Sequence, residues 1–174
     1  MAELGLVRGS SGNVSARWHD LILITPSGIP YEHLDPRQVM AIDLEGRVRS
    51  GSGVPSSEWR MHVSIQRARE DVRAIVHTHS PFATWAAVSF PELPVINDEG
   101  KILLGGAIPV SRHAPPGTWA LAAAVVEALG PSGRAALIAN HGAVAVGTTL
   151  PGALSLAEKL EEMARLFWLS KSSG

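Results

Sequence analysis

The chain contains no cysteine, which removes disulfide frameworks, thiolate metal sites and thiol nucleophiles together. Neither sign of charge is in excess. Fifteen Lys and Arg face sixteen Asp and Glu, a net charge of -1, so the whole-domain electrostatic case for a nucleic-acid partner is absent. No uninterrupted apolar run reaches the roughly 18 residues that a membrane span requires. The opening Met1-Ala2-Glu3-Leu4-Gly5 has no basic segment followed by an apolar stretch, so no signal peptide is expected. No internal repeat, charge block or linker divides the sequence. With 174 residues, 45% of them hydrophobic, the expectation is a single domain over residues 1–174 with one sizeable core, placed in the cytoplasm.

The first half reads as short strands. Val14–Trp18 and Leu21–Thr25 flank His19-Asp20 as a tight hairpin, and Val39–Leu44 and Arg47–Arg49 flank Glu45-Gly46 as a second. Ser56 is placed to cap a helix on which Glu58, Met61, Ile65 and Ala68 share one face. Ala74–Val76 reads as a buried strand running into His77-Thr78-His79, and Pro81 opens a short helix over Phe82–Val88. Residues 90–110 carry mixed signals. Gly117-Thr118 and Gly130-Pro131 bracket an Ala/Val/Leu-rich helix, and Ala135–Ile138 and Ala143–Val146 are strand-like around Asn140-His141-Gly142. A last helix over about 151–169 has Ala153, Ala157, Leu160, Ala164 and Phe167 on one stripe. This order predicts an α/β (α+β) sandwich, a mostly antiparallel sheet covered by helices.

Among residues that can carry chemistry, His77-x-His79 stands first. Two imidazoles at i and i+2 of a strand project to one face and can share a metal. Alone, the pair is equally compatible with two ordinary histidines at a strand end. His141, between two apolar half-strands and beside Gly142, would complete the three-imidazole set of a catalytic zinc site. Glu58 continues a stripe that looks buried, and an inward carboxylate needs a metal or a proton-transfer partner. Ser10–Asn13 and Thr25–Gly28 are small polar loops that suit either ordinary turns or a phosphate cradle. Neither matches a Walker A or Rossmann fingerprint, which disfavours a nucleotide.

Taken in order, Ser11-Gly12-Asn13-Val14-Ser15, Ile24-Thr25-Pro26-Ser27-Gly28, Pro55-Ser56-Ser57-Glu58, His77-Thr78-His79 and Asn140-His141-Gly142 resemble the class II aldolase/adducin family, over nearly the whole chain. The resemblance implies a three-layer α/β/α sandwich with a central, mainly antiparallel sheet, and a homotetramer. It implies a divalent metal, Zn2+ foremost with Mn2+ or Co2+ as alternatives, on His77, His79 and His141. Glu58 would be the acid/base, and Asn13, Ser27, Gly28, Ser56 and Ser57 would hold a substrate phosphate. The implied activity is a metal-dependent lyase reaction, aldol cleavage of a small phosphorylated sugar. Decarboxylation, dehydration or epimerisation of a related sugar-acid or sugar phosphate, and a non-catalytic interaction module, are the alternatives. The sequence departs from the aldolase pattern in two places. Its one tyrosine is Tyr31, so Asp98 or Glu99 stands where a second acid/base tyrosine is expected, unless another subunit supplies that group. The family's first helix is expected to be short or missing.

Overall fold

The two-residue turn at His19-Asp20 closes a hairpin between β1 (Asn13–Trp18) and β2 (Leu21–Ile24), with Trp18 opposite Leu21. His19 takes the left-handed conformation that such a turn demands, at φ 53°. The computed structural model describes residues 1–172. Within it, β3 (Met40–Asp43), β4 (Val48–Ser50), β5 (Ala74–Thr78), β8 (Ala135–Ile138) and β9 (Gly142–Gly147) join the hairpin in one seven-stranded sheet. Its order is β4-β3-β2-β1-β5-β9-β8, and every neighbouring pair is antiparallel.

Strand periodicity sorts the core into two layers. Ile75, Ala136 and Val144 point to one face and pack under α1 (Trp59–Ala68) and α4 (Trp119–Leu129), against Met61, Ile65, Leu121 and Val125. Ala74, Val76, Ala143 and Ala145 point to the other. There they meet α2 (Pro81–Ser89), α3 (Asp98–Leu104) and above all α5 (Leu150–Ser172). Alanines along β5 and β9 let α5 lie close, and its Ala153, Ala157, Leu160, Ala164 and Phe167 stripe is buried against the chain's own core. The result is the expected three-layer sandwich.

Several local expectations change. Residues 90–110 resolve into α3 and a two-stranded ribbon, β6 (Glu92–Leu93) with β7 (Ile108–Pro109). Asn97 caps α3 by accepting from the Gly100 amide at 2.7 Å. Ala68 is exposed, at the end of the α1 stripe where the helix runs out over solvent. Among the described residues no helix precedes β1, and none is long and apolar enough to cross a membrane.

Candidate active site

Three separate loops meet at one end of β1 and β5, and main-chain bonds fix their meeting. The Ser27 amide donates to Val54 O at 2.9 Å and the Ser56 amide to Thr25 O at 3.0 Å, which stitches residues 25–28 to 54–56. Gly12, at φ 70°, lets the third loop close in: a Cβ there would stand 2.6 Å from His77 O. Together they border a cavity of about 310 Å³ that contains Asn13, Ser27, Ser57, Glu58, His79 and His141 in its lining. Asn13 and Ser56 form buried wall, whereas Ser27, Gly28 and Ser57 lie exposed at the rim. Pro116 joins that lining from the loop before α4, a contribution with no signal in the sequence. A larger cavity, about 460 Å³, lies at the opposite ends of β5 and β9. Its arginines are already engaged: Arg69 with Asp71 and the Gly130 and Gly133 carbonyls, Arg134 with the Ile102 and Leu103 carbonyls. The chemistry gathers in the smaller one.

His77, the last residue but one of β5, is fully buried, and its Nδ1 donates to Ala143 O on β9 at 2.9 Å. That bond fixes the ring and turns Nε2 toward the cavity. His79 follows one pleat later. His141 arrives from the β8–β9 turn, where Asn140 adopts φ 58° and Gly142 passes so close that a Cβ would sit 2.2 Å from Thr78 O. His79 Nε2 lies 3.0 Å from His77 Nε2 and 3.1 Å from His141 Nε2. Glu58 Oε2 is 2.9 Å from His77 Nε2, and Oε1 is 3.4 Å from His141 Nε2. All four donors fall within 4.8 Å of one another.

This donor set fits a divalent ion. Bonds of about 2.0–2.1 Å at tetrahedral angles put imidazole nitrogens about 3.3 Å apart, close to the spacing here. Nitrogens that converge in this way repel unless a proton or a cation lies between them. Glu58 Oε1 is buried without a hydrogen-bond partner, an acceptor that a cation would satisfy. Burial opposes ionisation of Glu58, but the facing His77 and His141 rings and the hydrogen bonds to His77 and Asn13 outweigh it and hold the carboxyl below its usual range. Burial pushes His79 down to about 4 and lowers His141, so their imidazoles are neutral, the ligand form, at pH 7.

The helix start differs from expectation. Helix α1 begins at Trp59 with Glu58 at the cap position, and Ser56 acts one step earlier by accepting from the Glu58 amide at 3.3 Å. This half-turn leaves the Glu58 side chain pointing at the histidines. Glu99 is not brought to the site. It sits on α3 and pairs with Lys159 of α5 at 2.9 Å, so the second acid/base expected there is not supplied by Glu99 of the same chain. Two polar residues inside α1 escaped the sequence reading: His62 and Gln66, both fully buried beneath Asn13 and Ser15 of β1.

An antiparallel sheet with a three-imidazole, one-carboxylate cluster beneath a cavity rimmed with hydroxyls fits a metal-dependent enzyme of the aldolase type. Residues 1–168 match the Class II Aldolase and Adducin N-terminal domain, and the chain belongs to that family. It is 41% identical over 169 residues to the 5-methylthioribulose-1-phosphate/5-deoxyribulose-1-phosphate aldolase of Rhodospirillum rubrum, covering 97% of this chain and 75% of that one. It is 38% identical over 167 residues to the L-fuculose phosphate aldolase of Escherichia coli, covering 96% and 77%. A solved L-fuculose 1-phosphate aldolase superposes with a TM-score of 0.94 at 34% identity, over 99% of this chain and 82% of the other.

Proposed function

We propose that the protein cleaves a small phosphorylated sugar between the carbon next to the carbonyl and the carbon that bears the neighbouring hydroxyl. The observation that carries this reading is Glu58, a buried carboxylate set between three converging imidazoles and a cavity rimmed with hydroxyls. Aldolases in the family act, by name, on phosphorylated five- and six-carbon sugars, and the same class of substrate is proposed here.

His77, His79 and His141 would hold the metal, with zinc favoured because three neutral imidazoles are its usual catalytic set. When bound, the ion supplies a Lewis acid for the negative charge that develops on the substrate oxygens. The remaining work falls to this chain's own side chains. In cleavage a proton leaves the hydroxyl, the carbon–carbon electron pair passes to the carbonyl side, and a proton returns to the carbon left behind. Glu58 is the group placed to move such a proton at the cavity floor. Ser27, Gly28, Ser56 and Ser57, with the second N–H of the Asn13 amide, would hold the phosphate and so fix register at the reacting carbons. The second acid/base is assigned to a residue of another subunit.

The same proposal includes a cytoplasmic homotetramer. It is supported by apolar side chains left at the surface, among them Val88 at 60%, Ile102 at 75% and Trp119 at 50% exposure. Light scattering that gave a monomer at micromolar concentration would contradict it. For the reaction, purified protein is assayed for aldehyde release from L-fuculose 1-phosphate and 5-deoxyribulose 1-phosphate, before and after chelation and with zinc returned. Cleavage lost on chelation and restored by zinc is expected. Dehydration, decarboxylation or epimerisation in place of cleavage would overturn the assignment.

A further inference from the structure

Beneath Glu58 lies a chain of buried polar side chains, of which the proposed reaction uses only the second N–H of Asn13. Asn13 Nδ2 donates to Glu58 Oε2 at 3.0 Å. The Asn13 Oδ1 meets His62 Nε2 in a close contact, His62 Nδ1 lies 2.7 Å from Ser15 Oγ, and Gln66 Nε2 is 3.2 Å from the same oxygen. Asn13, Ser15, His62 and Gln66 are all at most 4% exposed, so no solvent intrudes on the chain.

Hydrogen-bond donors and acceptors must alternate along such a chain, and the Asn13 amide sets the sense: its Nδ2 donates to Glu58 Oε2, which leaves its Oδ1, an acceptor only, facing His62 Nε2. His62 must then carry its proton on Nε2. Its Nδ1 is left as an acceptor, filled by the Ser15 hydroxyl, whose oxygen accepts from Gln66. Reversing any one bond places two acceptors face to face somewhere along the chain, in a region where an unpaired polar contact is costly. We propose that His62 is a positioning residue: through Nε2–H it locks the Asn13 amide so that its NH2 faces Glu58, and thereby fixes the proton-moving carboxylate against the histidine cluster. Burial, reinforced by His77, pushes His62 down to about 3, which keeps its ring neutral and the chain intact throughout the working range.

The inference rests on Glu58 as the proton-moving group, but part of its test is independent of activity. In a long-range 1H–15N spectrum of the wild-type protein at pH 7, the His62 ring is expected to show a protonated Nε2 and a bare Nδ1. The reverse tautomer would overturn the proposal whether or not aldolase activity is found. The activity arm uses two amides of different reach. In His62→Gln the amide takes the place of Nε2–H and can still donate to Asn13, whereas in His62→Asn it takes the place of Nδ1 and cannot. With metal content and thermal midpoint measured for both, kcat should fall roughly tenfold or more in His62→Asn and recover most of that loss in His62→Gln, with KM nearly constant. Equal kcat values in the two variants would show that His62 only fills space. Absence of cleavage by the wild type would count against the proposed function, and the tautomer would still decide the role of His62.

Discussion

Asn13 stands directly opposite His77 in the β1–β5 ladder, and Glu58 bonds to both, at 3.0 Å and 2.9 Å. A cross-strand pair thus fixes the one carboxylate of the site from two sides. Because the residues come from central strands of a seven-stranded sheet, the arrangement is as rigid as the sheet itself.

The histidines are expected to bind close to one divalent ion per chain at neutral pH. His77→Ala, His79→Ala and His141→Ala should each lose most of it, since each removes one of only three imidazoles. Elemental analysis of the dialysed proteins checks this, and unchanged metal in all three variants would discard the site.

The rim hydroxyls lead to a prediction about substrate affinity. One lost charge-assisted hydrogen bond to phosphate costs about 1.5–3 kcal/mol, so Ser57→Ala should raise KM for a phosphorylated sugar about tenfold or more. Equal turnover of the unphosphorylated sugar by the wild type would refute the phosphate assignment.

Acid should weaken the fold through His62. Its pKa is about 3 when folded and about 6.5 when unfolded, so below pH 6.5 the unfolded chain binds more protons. Stability is full above that pH and falls as pH drops toward 3. His62 contributes up to about 1.4 kcal/mol per pH unit, and His79 adds to the same trend. Urea titrations of chelator-treated protein at pH 7, 6 and 5 measure the slope. A midpoint independent of pH would contradict neutral burial of these rings.

Gly142 is expected to tolerate no side chain. In Gly142→Ala the new Cβ would meet Thr78 O at 2.2 Å and His79 Cδ2 at 3.2 Å, so backbone must move beside two metal ligands. A loss on the order of 1–3 kcal/mol in urea unfolding is expected, together with weaker metal retention. Wild-type values for both would mean the turn is looser than this geometry allows.

Much of the fold was legible because its signals are local and repeated. The His19-Asp20 turn, the Thr118 cap at Leu121 N and the Gly130 stop of α4 all lie where turn and cap chemistry put them. The histidine set was legible only through the order of its motifs, since His141 lies 62 residues from His79 and no spacing links them. Counting only apolar positions on α1 hid His62 and Gln66. Glu58, His62 and Gln66 recur at i, i+4 and i+8, a polar stripe that faces Asn13 and Ser15, the alternating polar residues of β1. Matching those two periodicities would have exposed the buried network. The α5 stripe is consumed by the chain's own sheet. Glu99 was drawn to the site by sequence position alone, and Lys159 on a distant helix holds it elsewhere.

The role of Glu58 is tested most directly by Glu58→Gln, with metal content and cleavage rate measured on the same samples. The amide keeps size and hydrogen bonding but cannot take up a proton, and three imidazoles remain to hold the ion. Turnover should fall by roughly 10²–10⁴ with metal still bound. Near-normal turnover at full metal occupancy would contradict the account.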